Sequence, residues 1–382
     1  MASGTNNLVP SITNSSPSIH AREMLAEKCP LSLVRDFENA DDGSLGELWS
    51  EMANLGWLGL AFPEEYGGAG GNFMDLAVLV EEMGRALTPG PFFSTVVLGG
   101  LTILDGGDEA KKAEFLPGIS EGKTMMTLAL TEESSAYSPD AIQVSACIDG
   151  EELVIEGTKL FVPDAKVADY IIVAARACTD NIPQEDITLA IVPNGAKGLN
   201  IRKHESLGLD KQYEVTFEGV RIPSSSVVGE IGKGWPILDR ALQRAAAAKC
   251  IEMVGGSDAV LDMTLDFLKQ RVQFGRPVAT FQGVQHHCAN MATDAEGCRN
   301  IAYQAVWMLA QKNPADREVS LAKSWISDAY LRICSLAHQC HGAIGFTKEH
   351  DLQLYTRKAR VQEQEYGDTR YHRYLLSQLL TR

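Results

Sequence analysis

The stretch Gln339-Cys340-His341-Gly342-Ala343-Ile344-Gly345-Phe346, read with Glu365-Tyr366-Gly367-Asp368-Thr369 further on, decides how this chain is understood. The apolar stripe over 314–340 predicts a helix that runs into a glycine-bearing turn. A turn of this kind lets a ligand's phosphates or sugars come close to the backbone, since glycine carries no Cβ. The second segment is short and acidic, and it places carboxylates about twenty residues beyond the turn.

Working outward, apolar stripes over 236–254, 258–271, 282–311 and 314–340 predict four long helices with short connections, an antiparallel bundle. Upstream, the β-rich runs 125–130, 144–148, 153–156, 170–175, 187–192 and 215–220 are separated by turn residues, which predicts a small β-barrel or sandwich. Asp149-Gly150 marks a hairpin. Residues 20–125 have helical spacing, broken by the glycine-rich loop 62–71 and by Pro89 and Pro91. The expected fold is therefore α+β and multidomain: a disordered lead-in over 1–20, a helical domain over 21–123, a β-domain over 124–231 and a helical bundle over 232–382. No GxGxxG follows a strand, so a nicotinamide-binding fold is not indicated.

A net charge of -16 argues against nucleic acid as a partner. An anionic ligand would need local Arg, Lys or helix N-termini. No apolar run reaches the roughly 18 residues of a membrane span, and the first residues carry no signal-peptide pattern. The eight cysteines form no CxxC pair; they are expected to be reduced core residues, with no metal site, in a cytoplasmic protein.

Three segments in order resemble the acyl-CoA dehydrogenase family: Leu128-Ala129-Leu130-Thr131-Glu132, then Arg271-Val272-Gln273-Phe274-Gly275-Arg276-Pro277 with Phe281, Gln282 and Gln285, then the opening stretch. Gly56-Trp57-Leu58-Gly59-Leu60 and Gly157-Thr158-Lys159-Leu160-Phe161-Val162 add to the resemblance, which covers roughly 40–375. It implies an FAD-dependent oxidoreductase of acyl-CoA catabolism. Such an enzyme removes a proton from Cα and a hydride from Cβ of an acyl-CoA, and passes electrons to an electron-transfer flavoprotein. It also implies a homodimer, a tetramer or a heteromer with a related subunit. Leu130 and Thr131 match positions that contact the flavin ring, and Phe161 matches an aromatic packed on it. Pro163 stands where a hydroxyl residue is often found, and it has neither hydroxyl nor N–H. Arg271, Phe274 and Gln282 match FAD contacts made across a subunit interface, with Arg271 offering a fork to the pyrophosphate. Gln339, Gly342 and Ala343 match the adenosine-side turn, with alanine where glycine is common.

The resemblance leaves the catalytic base open. The family's usual Glu position, directly before Gly367, holds Tyr366, and its second position, 26 residues before Arg271, holds Ala245. A tyrosine with an ordinary pKa of about 10 is a poor base at neutral pH. Asp368 is the first candidate and Glu365 the second; a carboxyl raised toward neutrality in a desolvated site could serve. The alternative reading of Asp368 is a helix cap, and of Glu365 a solvated charge. Tyr366 keeps a backbone N–H, which in the family helps polarise the thioester oxygen, so it is expected to bind substrate. The Gly367-Asp368 pair, with Gly345-Phe346-Thr347-Lys348-Glu349-His350 after the turn, resembles a bacterial branch in which some members are heteromers acting on bulky acyl-CoAs. That keeps a catalytically incomplete subunit, and an O2-using flavin oxidase or monooxygenase, as alternatives.

Overall fold

The computed structural model describes residues 16–40, 45–178 and 186–381. The first helices are α1 (Ser16–Lys28), α2 (Leu31–Asn39), α3 (Glu47–Asn54) and α4 (Phe73–Ala86). Helix α1 begins within the stretch expected to be a lead-in; residues 1–15 of that stretch lie outside the described residues. Asn72 caps α4: its side chain accepts from Met74 N, while Asp75 returns a bond to the Asn72 N–H. A π-helical segment, Phe93–Gly100, leads into α5 (Leu101–Gly106), and α6 (Glu109–Ser120) completes the N-terminal helices.

The strands are β1 (Met126–Ala129), β2 (Ser145–Asp149), β3 (Glu152–Pro163), β4 (Tyr170–Ala177), β5 (Ile187–Pro193), β6 (Leu199–Lys203), β7 (Gln212–Pro223) and β8 (Val227–Val228). They form one connected sheet in the order β6-β7-β3-β2-β4-β5-β8, with β1 parallel on β4. The sheet encloses its own apolar core, including Ile155, Val173, Val192, Val215 and Phe217. The Asp149-Gly150 hairpin is present between β2 and β3, with Asp149 opposite Glu152 and Gly150 at φ 68. Strands β6 and β8 carry no strong alternation and escaped the sequence reading.

One cysteine expectation is corrected here. Cys147 and Cys178 are joined as a disulfide, with Cα atoms 4.8 Å apart. The cause is strand register. Strands β2 and β4 run parallel with Ser145 beside Arg176 and Ala146 beside Ala177, so the next step brings the two cysteines together. A separation of 31 residues across a hairpin hid this in the sequence.

The C-terminal part holds α7 (Trp235–Gln270), a two-stranded turn of β9 (Val272–Gln273) and β10 (Arg276–Pro277), α8 (Gln282–Ala310), α9 (Asp316–His341), α10 (Leu352–Gln364) and α11 (Thr369–Leu380). Helix α7 is one element of 36 residues, not the two helices expected on either side of Gly255-Gly256. These glycines serve close packing. A Cβ on Gly255 would stand 1.9 Å from Glu81 O of α4, and one on Gly256 would stand 2.3 Å from Tyr330 Oη of α9. The bundle is thus three long helices with two shorter ones against α9. No helix among the described residues is long and apolar enough to cross a membrane.

Candidate active site

A cavity of about 610 Å³ opens where the end of β1, the bulged part of β3 and the turn between α10 and α11 meet. Its walls include Leu130, Thr131, Tyr137, Phe161, Pro163, Glu365, Tyr366, Asp368 and Tyr371. The fold therefore brings together six of the expected site residues: Leu130, Thr131, Phe161, Glu365, Tyr366 and Asp368. The other six, Arg271, Phe274, Gln282, Gln339, Gly342 and Ala343, lie on the outer surface, away from this cavity.

On the sheet side, β1 delivers Leu130 and Thr131. The Leu130 carbonyl accepts from Lys159 Nζ at 2.9 Å, and the Thr131 carbonyl accepts from Leu160 N at 2.8 Å. Lys159 is fully buried and pairs with Glu132 at 2.6 Å; burial pulls its pKa down to about 8. Glu132 also accepts the backbone N–H groups of Gln143 and Val144, so the loop after Thr131 is anchored at its base. Phe161 sits in a register shift between β3 and β7 with φ 54, a left-handed conformation uncommon for an aromatic residue. Phe161 is 49% exposed. The Pro163 carbonyl accepts from the Thr127 hydroxyl at 2.6 Å, and because its ring nitrogen carries no hydrogen Pro163 offers the cavity no donor.

The turn between α10 and α11 is bound from behind. Tyr366 and Gly367 have φ 56 and φ 98. A Cβ on Gly367 would meet Tyr371 at 2.3 Å, so a larger residue is excluded there. Buried Lys323 donates to the carbonyls of Gln362, Glu363 and Gly367 at 2.9 to 3.0 Å, and burial lowers its pKa to about 8. His372 Nε2 bonds the Tyr366 carbonyl at 3.0 Å, which requires that nitrogen to carry the proton. Burial, then the Lys323 charge, lowers the His372 pKa to about 4, so the ring is neutral.

Of the two candidate bases, Asp368 is the N-cap of α11: one of its oxygens accepts from Tyr371 N at 2.8 Å. Glu365 is not the solvated charge of the alternative reading. It lies 3.3 Å from Lys249 Nζ in a largely buried ion cluster. Lys249 also pairs with Glu252 at 2.8 Å, and Lys358 bridges Glu252 at 3.2 Å and Asp210 at 2.6 Å. Burial opposes ionisation of Glu252, yet Lys249 and Lys358 hold it down at about 2. The same carboxylates keep Lys249 protonated despite its burial. Its ammonium stands 3.9 Å from the centre of the Phe93 ring, which stacks on Tyr366 at 5.8 Å. Asp164, bonded to Ser94 at 2.6 Å, is pushed up to about 7 by burial. The Tyr366 N–H, expected to face a substrate oxygen, donates to Tyr137 Oη at 3.0 Å.

Sequence reasoning missed Tyr137, Lys249, Lys323 and His372. One signal was visible: Lys249 interrupts the apolar run Ala245-Ala246-Ala247-Ala248 before Cys250. A lysine in such a run needs a buried counter-charge.

The outer group has its own logic. Phe274 is 93% exposed at the tip of the β9–β10 turn with φ 52, and Phe346 is 73% exposed. Gly342 has φ 65, and a Cβ there would meet nothing within 4 Å. The backbone demands the glycine, and the space before it stays open to an approaching group. These features, with the exposed Arg271 fork, fit the adenosine and pyrophosphate portion of an FAD. The wall of Leu130, Thr131 and Phe161 fits its ring.

Comparison with known proteins agrees. Models of the N-terminal, middle and C-terminal domains of acyl-CoA dehydrogenases match residues 19–123, 127–220 and 232–380. The Bacillus subtilis (strain 168) protein named "Probable acyl-CoA dehydrogenase YngJ" is 30% identical over 94% of this chain and 96% of its own length. The "Caffeyl-CoA reductase-Etf complex subunit CarC" of Acetobacterium woodii is 28% identical over 82% of this chain and 84% of its own. The structure of butyryl-CoA dehydrogenase from Megasphaera elsdenii superposes with a TM-score of 0.90 at 26% identity, over 100% of both chains. With helices, strands and bundle matched in that order along nearly its whole length, the chain belongs to the acyl-CoA dehydrogenase family of FAD-dependent oxidoreductases.

Proposed function

We propose that this chain dehydrogenates an acyl-CoA thioester to the 2-enoyl-CoA and passes the electrons to an electron-transfer flavoprotein, with Glu365 taking the Cα proton. The observation that carries the reading is the shared cavity, which has the ring-side residues Leu130, Thr131 and Phe161 on one wall and the Glu365–Asp368 turn on another. Bound FAD supplies the acceptor for the hydride that leaves Cβ. Leu130, Thr131 and Phe161 would hold its ring; Arg271, Phe274, Gln282, Gln339, Gly342 and Ala343 would hold the remainder, from the outward face of a neighbouring subunit. The likeness to a dehydrogenase of butyryl-CoA supports the substrate class, and the likeness to a subunit of an Etf complex supports the electron acceptor.

Glu365 and Asp368 both line the cavity. Glu365 is preferred because Asp368 already accepts the cap bond from Tyr371 N–H, whereas the buried Glu365 Oε2 has no hydrogen-bond partner and only an ion pair with Lys249 at 3.3 Å. Protonation of Glu365 would leave the Lys249 charge balanced by Glu252, so the cluster tolerates the change. The test is the rate of Cα proton exchange on butyryl-CoA. Glu365→Gln is expected to lower it by about 100-fold or more. Asp368→Asn, which keeps the cap, is expected to leave it within about threefold. The opposite pattern would move the base to Asp368.

A second reading is favoured by Tyr366 and Ala245 standing where the family's acids are found. On that reading the chain is the incomplete member of a heteromer, and its outward residues complete a partner's FAD site. A colourless chain that takes up FAD only with a second, related polypeptide would support it.

A further inference from the structure

A second cavity, of about 360 Å³, adjoins the first. Its walls include Trp235, Asp239, Gln243, Ser320 and Leu379, and it shares Tyr137, Tyr366 and Tyr371 with the larger cavity. These three tyrosines are thus the partition between two spaces. Two hydrogen bonds hold the partition: Tyr366 N–H donates to Tyr137 Oη at 3.0 Å, and Tyr371 Oη donates to the Tyr137 carbonyl at 3.0 Å. The rings of Tyr137 and Tyr371 lie 5.8 Å apart. The Tyr137 hydroxyl oxygen therefore occupies the Tyr366 backbone donor of the turn. Tyr137 stands on the loop between β1 and β2. Ser135, two residues before it, has φ 52, a left-handed conformation that strains a non-glycine residue. The loop's base is fixed by Glu132, so displacement is confined to the part that carries Tyr137.

We propose that Tyr137 is a gate and placeholder: its hydroxyl holds the Tyr366 N–H until a thioester carbonyl oxygen replaces it, and its departure joins the two cavities into one tract for a long, thin thioester. The acyl end takes the larger space and the thiol-bearing arm passes through the smaller. This rests on the thioester reading above. The exchange trades one oxygen acceptor for another on the same donor, so the backbone N–H is never left bare. The Tyr366 N–H behind the phenol makes binding selective for ligands that bring a carbonyl. A ligand without one must displace Tyr137 and leave the donor unsatisfied.

The experiment uses two probes with the full chain and added FAD. One is 2,2-dimethylbutyryl-CoA, which has the carbonyl but no Cα hydrogen and so binds without reacting. The other is S-butyl-CoA, a thioether without the carbonyl. Tyr137→Phe keeps the ring and removes the competing oxygen. It is expected to tighten the Kd of both probes by about tenfold, because neither then has to break the bond between Tyr137 and the Tyr366 N–H on entry. An unchanged or weaker Kd for either probe would overturn the gate. If Tyr137→Phe does not fold, Tyr371→Phe is the second variant. It loosens the partition without touching the Tyr366 donor, and must raise the association rate of both probes; an unchanged rate overturns the gate. If the wild-type chain and the variants bind neither probe, the thioester reading itself fails and the gate falls with it.

Discussion

Glu365, Tyr366 and Asp368 occupy one turn, yet each is fixed by a different partner: Lys249, Tyr137 and the N–H of Tyr371. Behind them, His372 holds the Tyr366 carbonyl as a neutral ring with a pKa of about 4, against an ordinary 6.5. In the unfolded chain the ring takes a proton below 6.5; in the folded protein it resists until about 4. The stability it contributes is therefore fully present above pH 6.5 and is lost as pH falls toward 4. The difference amounts to at most about 3 kcal/mol. Asp164 acts in the opposite sense, because its folded-state carboxyl keeps a proton up to about pH 7 and so gains stability on acidification. The informative quantity is thus the contrast between two proteins. Urea unfolding at pH 7 and pH 5 is expected to show a smaller loss on acidification for His372→Gln than for the wild type. Identical losses would mean that His372 titrates normally.

At the scale of elements, the close crossing of α7 with α4 and α9 explains why a glycine pair lies inside a continuous helix. Gly255→Ala would drive a Cβ to 1.9 Å from the Glu81 carbonyl of α4, a backbone atom that cannot swing aside. The expected cost is about 3 kcal/mol or more. Gly283→Ala in α8 meets nothing within 4 Å and is expected to gain up to about 1 kcal/mol. Chemical denaturation of the two variants checks the pair; equal effects would show that the α4–α7 crossing is looser than described. The same crossing shows where sequence reading stopped. Apolar periodicity located the long helices, and Asp149-Gly150 located a hairpin. But a glycine pair looks the same whether it ends a helix or admits a neighbour, and only the partner backbone distinguishes the two. Strand register likewise paired Cys147 with Cys178, which no spacing rule would have done.

For the whole molecule, the three-part order of helices, strands and bundle was legible because each part has its own period and the motifs fall in sequence between them. The candidate site was legible only in part. Leu130, Thr131, Phe161 and the Glu365–Asp368 turn, each singled out by motif, line one cavity, but the residues that surround them come from elsewhere. Lys249 and Lys323 lie on α7 and α9, Tyr137 on the loop after β1 and His372 on α11; long-range packing alone brings them to the turn. Exposed Phe274 and Phe346 mark the face on which the remaining site residues sit, and on the proposed reading that face meets a second subunit. The most direct test of the account is an anaerobic titration of the purified chain, loaded with FAD, with butyryl-CoA while flavin absorption is followed. The account predicts stoichiometric flavin binding and loss of the oxidised-flavin band as thioester is added. A chain that binds no FAD alone, or whose bound flavin stays oxidised at saturating thioester, would contradict it.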